Sequence, residues 1–150
     1  MANKGHLNGP GPIRVSEAAN LAIHALAVIA ASTGPLTRTR EIAARLKASL
    51  AHLAKVMATL ERAGLVYGAR GPAGGYRLAR PATRISLKEV YEAVEGPLQA
   101  RSCLFGKPVC ETDGCVLSDY LGGLNRELTR KLARVKVSDL IEAFGDENGK

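Results

Sequence analysis

Three cysteines lie within thirteen residues of this 150-residue chain, in the pattern Cys103-x6-Cys110-x4-Cys115. Disulfides are rare in cytosolic proteins, and an odd number of thiols cannot pair completely within one chain, so this grouping favours metal binding or redox chemistry. Zinc sites usually contain closely spaced Cys-x2-Cys pairs, which the sequence lacks. The wider spacing favours an open loop around a larger cofactor. A zinc site and three unligated thiols are the alternatives.

Basic residues form the second chemically distinctive group. The chain has a formal net charge of +7, and residues 36–84 contain ten basic residues against two acidic ones, so this segment alone carries +8. Concentrated positive charge favours a polyanionic partner such as nucleic acid. Solvated basic helices are the alternative on charge alone.

The elements that must position these groups are predicted to be mainly helical. Aromatic residues make up 4% of the chain and Trp is absent, so Leu, Ile, Val and Ala must form the core, and Leu and Ala favour helices. Apolar residues recur at helical spacing, and Ser16 and Ser49 are candidate N-caps. The predicted helices cover residues 15–31, 39–46, a stretch from Ser49 to about 63, 86–95, 115–133 and 138–144.

Two short strands are predicted between the third and fourth helices. Residues 65–70 and 76–79 flank Gly71-Pro72-Ala73-Gly74-Gly75, a loop rich in residues that tolerate positive φ, as hairpin connections require. Three helices followed by a β-hairpin predict a winged helix-turn-helix, a mainly α fold with a small β-wing. We expect this domain to span residues 14–97 and to be followed by a cysteine-containing loop at 98–115 and a helical segment at 115–144. Residues 1–13 and 145–150 are expected to be flexible tails.

In a helix-turn-helix, the second helix places its N-terminal residues against base edges in the major groove. A Gly-rich wing tip brings backbone close to phosphates, and arginines suit a narrow minor groove because a weakly hydrated guanidinium tolerates its concentrated negative potential. Each residue alone could be an ordinary surface position, but together they predict DNA binding. The predicted DNA-binding residues are Arg38, Ser49, Ala51, His52, Lys55, Arg70, Gly71, Gly74, Gly75 and Arg77.

The wing closely resembles that of a known family. The run Gly64-Leu65-Val66, followed by Arg70-Gly71-Pro72-Ala73-Gly74-Gly75-Tyr76-Arg77-Leu78-Ala79, is similar to the wing signature of the Rrf2 family of bacterial transcription regulators. The Ala/Leu-rich first helix, the Ala-Val-Glu-Gly segment at 93–96 and the three cysteines beyond it add to a resemblance that covers about residues 14–144. The family's recognition helix often has a Ser and a Glu where this chain has Ala51 and Ala54, so we do not transfer an operator sequence.

The resemblance implies a homodimer formed through the long C-terminal helix. Two-fold symmetry would place two recognition helices about one DNA turn apart on a roughly palindromic double-stranded operator. A helix that packs only within its own subunit is the alternative. The leucines that recur every three or four residues in this helix are Leu117, Leu121, Leu124, Leu128 and Leu132.

The resemblance also implies an iron–sulfur cluster, of the 2Fe–2S or 4Fe–4S type, bound by Cys103, Cys110 and Cys115. The remaining ligand varies in the family, and the residue three positions after Cys115 is Ser118 rather than a histidine that some relatives use.

A polar stripe on the first helix offers another ligand. Glu17, Asn20 and His24 have the spacing i, i+3 and i+7 on an otherwise apolar helix. Asn20 aligns with a ligating carboxylate of some relatives, and His24 aligns with a histidine near or on the cluster of one subgroup. A neutral imidazole can bind iron. We predict that His24, from the same or the partner subunit, completes the site; a histidine that faces solvent or a helix carbonyl is the alternative.

These features predict a cytoplasmic, homodimeric, sequence-specific transcription regulator that is controlled by a cluster sensing redox state, nitric oxide or iron supply. The chain has no apolar run of about 20 residues for a membrane span and no apolar signal region near its start. One alternative is the same regulator with bare thiols as redox sensors, and another is a nucleic-acid binder without sequence preference. A cysteine-dependent enzyme is disfavoured because no convincing Cys–His–Asp set is found.

Overall fold

The computed structural model describes residues 15–98 and 115–144, and these confirm a mainly helical fold with a small sheet. The first 3₁₀-helix was not predicted, and the last element is a 3₁₀-helix where a short helix of unspecified type was predicted. The helices are α1 (Glu17–Ala31), α2 (Thr39–Leu46), α3 (Leu50–Arg62), α4 (Leu87–Glu95) and α5 (Ser118–Arg134), the strands are β1 (Val66–Ala69) and β2 (Gly75–Leu78), and the 3₁₀-helices are Ala82–Arg84 and Val137–Phe144.

Side-chain caps start α1 and α3 at the predicted serines. Ser16 Oγ accepts a hydrogen bond from the Ala19 N–H at 3.0 Å, and Ser49 Oγ accepts one from the His52 N–H at 3.4 Å. The long C-terminal helix, predicted to begin at about residue 115, begins three residues later at Ser118. Residues 115–117 form a turn in which the Ser118 N–H donates to the Cys115 carbonyl, and no side chain caps the helix start.

Helix α1 is the central element of the core. It packs against α2, α3, α4 and the C-terminal 3₁₀-helix. Ala19, Ala22 and Ala25 are fully buried, and such small side chains allow neighbouring helices to approach closely. The largest fully buried apolar side chains of the core are Leu26, Val28, Ile42, Leu53, Met57, Leu60, Ile85, Val90 and Val137.

The β-hairpin is fixed to the helices by its second strand. Strands β1 and β2 are antiparallel. β1 is one residue shorter at each end than the predicted run, and β2 begins and ends one residue earlier than predicted. Thr37, just before α2, exchanges two backbone hydrogen bonds of 2.8 Å with Tyr76. A Cβ on Gly75 would lie 2.7 Å from the Thr37 carbonyl oxygen, so a side chain there would push the hairpin away. Gly75 therefore holds the wing beside α2.

Candidate nucleic-acid interface

Helices α2 and α3 form the predicted helix-turn-helix. Helix α2 ends at Leu46, and the following C-cap residue Lys47 has a φ of 52°, in the left-handed region that commonly terminates helices. The Ala48 N–H donates back to the Ala43 carbonyl at 2.9 Å, and the chain re-enters a helix after Ser49. The turn is thus three residues long, and α3 is the second, recognition helix of the pair.

The recognition helix buries one face and exposes the other. Leu53, Val56, Met57 and Leu60 are buried in the core, whereas Ala51, Ala54 and Lys55 are exposed. The structure therefore places the predicted base-contacting residues Ala51 and Lys55 on the outward face of α3.

Two of the predicted DNA-binding residues are held by contacts within the protein. The hydroxyl of Ser49 is the N-cap of α3. His52 is half-buried, and its Nδ1 lies 3.4 Å from Glu17 Oε1 at the start of α1. The contact orients the imidazole at the edge of the recognition helix. Sequence reasoning missed it because Glu17 and His52 are distant in the chain.

An open cleft of about 580 Å³ lies between α2, α3 and the wing tip. It brings together Arg38, Gly71 and Gly74, which the sequence predicted, with Arg40, which it did not single out. Both arginines are exposed near the N-terminus of α2, where helix N–H groups also favour an anion. The cleft is therefore suited to a phosphate backbone. The full lining is Arg38, Thr39, Arg40, Leu50, Ala54, Gly71, Pro72 and Gly74.

The wing presents its arginines to solvent. Arg70 is exposed where β1 gives way to the tip, and Gly71 follows with a φ of 103° that favours glycine. On β2, the Cζ of Arg77 lies 4.7 Å from the centre of the Tyr67 ring on β1. The two residues are cross-strand partners, so only the strand register reveals the contact.

The other side of the wing is tied to the recognition helix. Glu61, in the last turn of α3, accepts a hydrogen bond from the Gly68 N–H at 3.2 Å. Burial raises the pKa of the Tyr76 hydroxyl, and the nearby Glu61 carboxylate raises it further, while Arg70 opposes this. Tyr76 is therefore a neutral phenol in the physiological range. The wing is attached to α3 through Glu61 and to the segment just before α2 through Thr37.

The predicted metal ligands are only partly described. Cys103 and Cys110 lie outside the described residues, and Cys115 is exposed just before α5. His24 is half-buried; its Nδ1 donates to the Asn20 carbonyl at 2.8 Å, and its ring packs edge-on against Phe144, with ring centres 5.7 Å apart. Within residues 15–98 and 115–144, no group of three or more His, Cys, Asp or Glu side chains is placed to hold a metal ion. The cluster ligands therefore remain predictions.

Comparison with known proteins shows the family. The Rrf2 model, described as an iron-dependent transcriptional regulator, matches residues 15–143. The transcriptional regulator IscR of Xenorhabdus nematophila is 31% identical over 137 residues, which cover 91% of this chain and 79% of that protein. This chain therefore belongs to the Rrf2 family.

Solved structures share the fold. CymR (YrzC), the global cysteine regulator of B. subtilis, superposes with a TM-score of 0.74 at 21% identity, covering 87% of this chain and 98% of that one. T. potens IscR superposes with a TM-score of 0.69 at 22% identity, covering 95% of each chain. Among the described helices, none combines the length and apolar character needed to cross a bilayer.

Family and fold together define the class of protein. The chain is a winged-helix, DNA-binding transcription regulator and not an enzyme. The α3 face, the cleft and the wing are accordingly its candidate DNA interface.

Proposed function

We propose that this protein acts in the cytoplasm as a homodimer that binds a specific double-stranded operator, with an affinity controlled by an iron–sulfur cluster on Cys103, Cys110 and Cys115. The observation that carries the proposal is the grouping of three cysteines within thirteen residues of an Rrf2-family chain, directly before α5.

The surface of α5 supports the homodimer. Leu117, Tyr120 and Leu124 share one face of the segment at i, i+3 and i+7 and are 44%, 66% and 45% exposed. Exposed apolar side chains at this spacing are stabilised when a second helix covers them. The same helix of a second copy has the matching pattern, as a two-fold interface requires.

The chemistry of the donor set supports iron. Thiolates are the usual ligands of iron–sulfur clusters, and the Cys115 thiol is exposed. Because the Nδ1–H of His24 binds a backbone carbonyl, Nε2 is the ring nitrogen left to bind a metal, an arrangement typical of metal-binding histidines. When bound, the cluster supplies a centre whose ligation changes on oxidation, on reaction with nitric oxide or on loss of iron.

Helix α1 connects this donor set with the recognition helix. His24 lies on α1, which shares the core with α3 and contacts His52 through Glu17. A displacement of α1 on a change of ligation would therefore move α3. A difference of a few kcal/mol between the two arrangements is enough to change operator affinity about a hundredfold.

The second candidate is the same regulator with bare thiols. The exposed Cys115 supports it, because an accessible thiol can be oxidised directly by peroxide.

Oxygen-free purification of the full chain tests the cofactor. We expect a visible absorption spectrum with equal amounts of iron and acid-labile sulfide, and loss of both in a Cys115→Ser variant. Colourless protein without iron, whose operator affinity changes on peroxide treatment, would instead establish the thiol sensor.

Competition binding tests the DNA function. Genomic fragments that contain the operator should outcompete random duplex at each of several salt concentrations. The affinity of a protein that binds only phosphates would instead fall steeply with salt and would not depend on sequence. A dimer that prefers no fragment, with or without iron, would overturn the proposed operator.

A further inference from the structure

The wing carries an exposed aromatic–arginine pair that the helix-turn-helix does not explain. Tyr67 is 52% exposed, and the guanidinium carbon of Arg77 lies 4.7 Å from its ring centre, within the range of a cation–π interaction. The residues are directly opposite each other in the β1–β2 register. Cross-strand pairs of this kind stabilise one side-chain arrangement on a sheet face.

The pair lies on the outer face of the hairpin. Side chains alternate between the two faces of a strand. The cross-strand partners Gly68 and Tyr76 lie on the face towards the helices, since a Cβ on Gly68 would lie 2.8 Å from Glu61 Oε1 and Tyr76 is half-buried against the core. Tyr67 and Arg77, one residue along on each strand, consequently point away from α3.

The guanidinium of Arg77 is available to an external partner. Within residues 15–98 and 115–144, no carboxylate forms a salt bridge with it, in contrast to Arg80, which binds Glu89 at 2.7 Å. Stacking on a ring holds a guanidinium flat while its N–H groups at the edge can still bind an acceptor. The arginine is thus ordered without being neutralised.

We propose that Tyr67 is a positioning residue for DNA binding, whose ring holds Arg77 ready to bind a backbone phosphate. The inference rests on the proposed operator binding. The minor groove is only about 6 Å wide, so a hairpin tip that enters it has a phosphate strand on either side. The cleft arginines Arg38 and Arg40 lie on the α3 side of the wing tip. The Tyr67–Arg77 pair lies on the other face of the hairpin, so in a groove-bound wing it would lie next to the other DNA strand. Pre-ordering the side chain reduces the entropy lost on binding.

Four variants of the full-length dimer test this proposal on the genomic fragment that the wild-type protein selects. We expect Tyr67→Ala to raise the Kd about two- to fivefold, the range given by an exposed cation–π contact. Tyr67→Phe keeps the ring and should bind like the wild type. Arg77→Ala should reduce the slope of log affinity against log salt by about one. In the Arg77→Ala background, Tyr67→Ala should have no further effect.

The double variant separates positioning from a structural role. If Tyr67→Ala weakened binding equally with and without Arg77, the ring would act through the wing itself and the proposal would be wrong. An unchanged Kd for Tyr67→Ala, or a failure of Tyr67→Phe to restore binding, would also overturn it. If the wild type selected no fragment at all, the proposed operator binding would fail first and this inference with it.

Discussion

At the scale of single residues, the position of Arg70 makes the most direct prediction about DNA binding. The side chain is exposed at the end of β1, next to the glycines that line the cleft. If it enters the minor groove, Arg70→Ala should weaken operator binding by roughly 1–3 kcal/mol, measured by fluorescence anisotropy at fixed salt.

A matched arginine controls for loss of charge in general. Arg62 lies in the last turn of α3, where its guanidinium binds Thr59 at 3.1 Å, far along the helix from its N-terminal residues. Arg62→Ala removes the same charge and should have a smaller effect. Equal losses for both variants would show that Arg70 contributes only to the overall positive potential.

His24 carries the prediction that concerns the cluster. Its Nε2 is the atom directed away from the Asn20 contact, so His24→Ala should shift the visible spectrum or shorten the lifetime of the anaerobically purified cluster. His52→Ala is the matched control, because that histidine lies on the recognition helix and should leave the spectrum unchanged. A wild-type spectrum in the His24→Ala protein would exclude His24 from the site.

At the scale of elements, a capping box sets the start of α4 and its pH dependence. Glu89 accepts hydrogen bonds from the Ser86 N–H and hydroxyl, both at 2.9 Å, while Ser86 Oγ caps the Glu89 N–H. These contacts, led by the Ser86 backbone and helped by Arg80, lower the pKa of Glu89 from 4.5 to about 2. The charged carboxylate is therefore stabilised in the folded state.

The sign of this shift makes a testable prediction. Because the folded pKa is below the unfolded one, the stabilisation is complete well above pH 4.5, begins to decline as the pH falls through 4.5 and is lost towards about 2. Glu89→Gln should lower the free energy of unfolding at pH 7 by less than about 1 kcal/mol, since the side chain is 42% exposed. Urea titrations at pH 7, 4.5 and 3 should show the difference shrinking; a constant difference would contradict the assignment.

At the scale of the whole molecule, the apolar face of α5 determines whether two winged-helix domains can bind one operator together. Leu124→Glu places a charge in the middle of the proposed interface, so sedimentation should show a monomer in place of a dimer, with unchanged helical circular dichroism and much weaker operator binding. Arg126→Glu alters the charge of an exposed residue of the same helix and serves as the control. A Leu124→Glu protein that remains dimeric would locate the interface elsewhere.

The C-terminal 3₁₀-helix contacts both α1 and α2. His24 packs against Phe144, and the Phe144 carbonyl accepts a hydrogen bond from Arg45 of α2 at 2.6 Å. The C-terminal 3₁₀-helix thus contacts both the predicted cluster ligand and the helix-turn-helix. This packing gives the proposed regulation a second route besides Glu17 and His52.

The local elements were determined by the sequence alone, because caps, glycines and apolar periodicity act between residues a few positions apart. Ser16 and Ser49 marked the starts of α1 and α3, and the glycines from Gly71 to Gly75 marked the hairpin turn. The Rrf2 resemblance, based on the wing motif together with the first helix, the 93–96 segment and the three cysteines, is confirmed by the family match. The later start of α5 was missed because no capping residue marks it.

Only the tertiary structure decided which distant residues meet. The Thr37–Tyr76 backbone pair fixes the wing, the Glu17–His52 contact orients a recognition-helix histidine, and Arg40 lines the cleft beside the tip. The stacking of Arg77 on Tyr67 likewise depends on strand register. Such contacts follow from how whole helices and strands pack around α1, and no pattern of near neighbours in the chain encodes that packing.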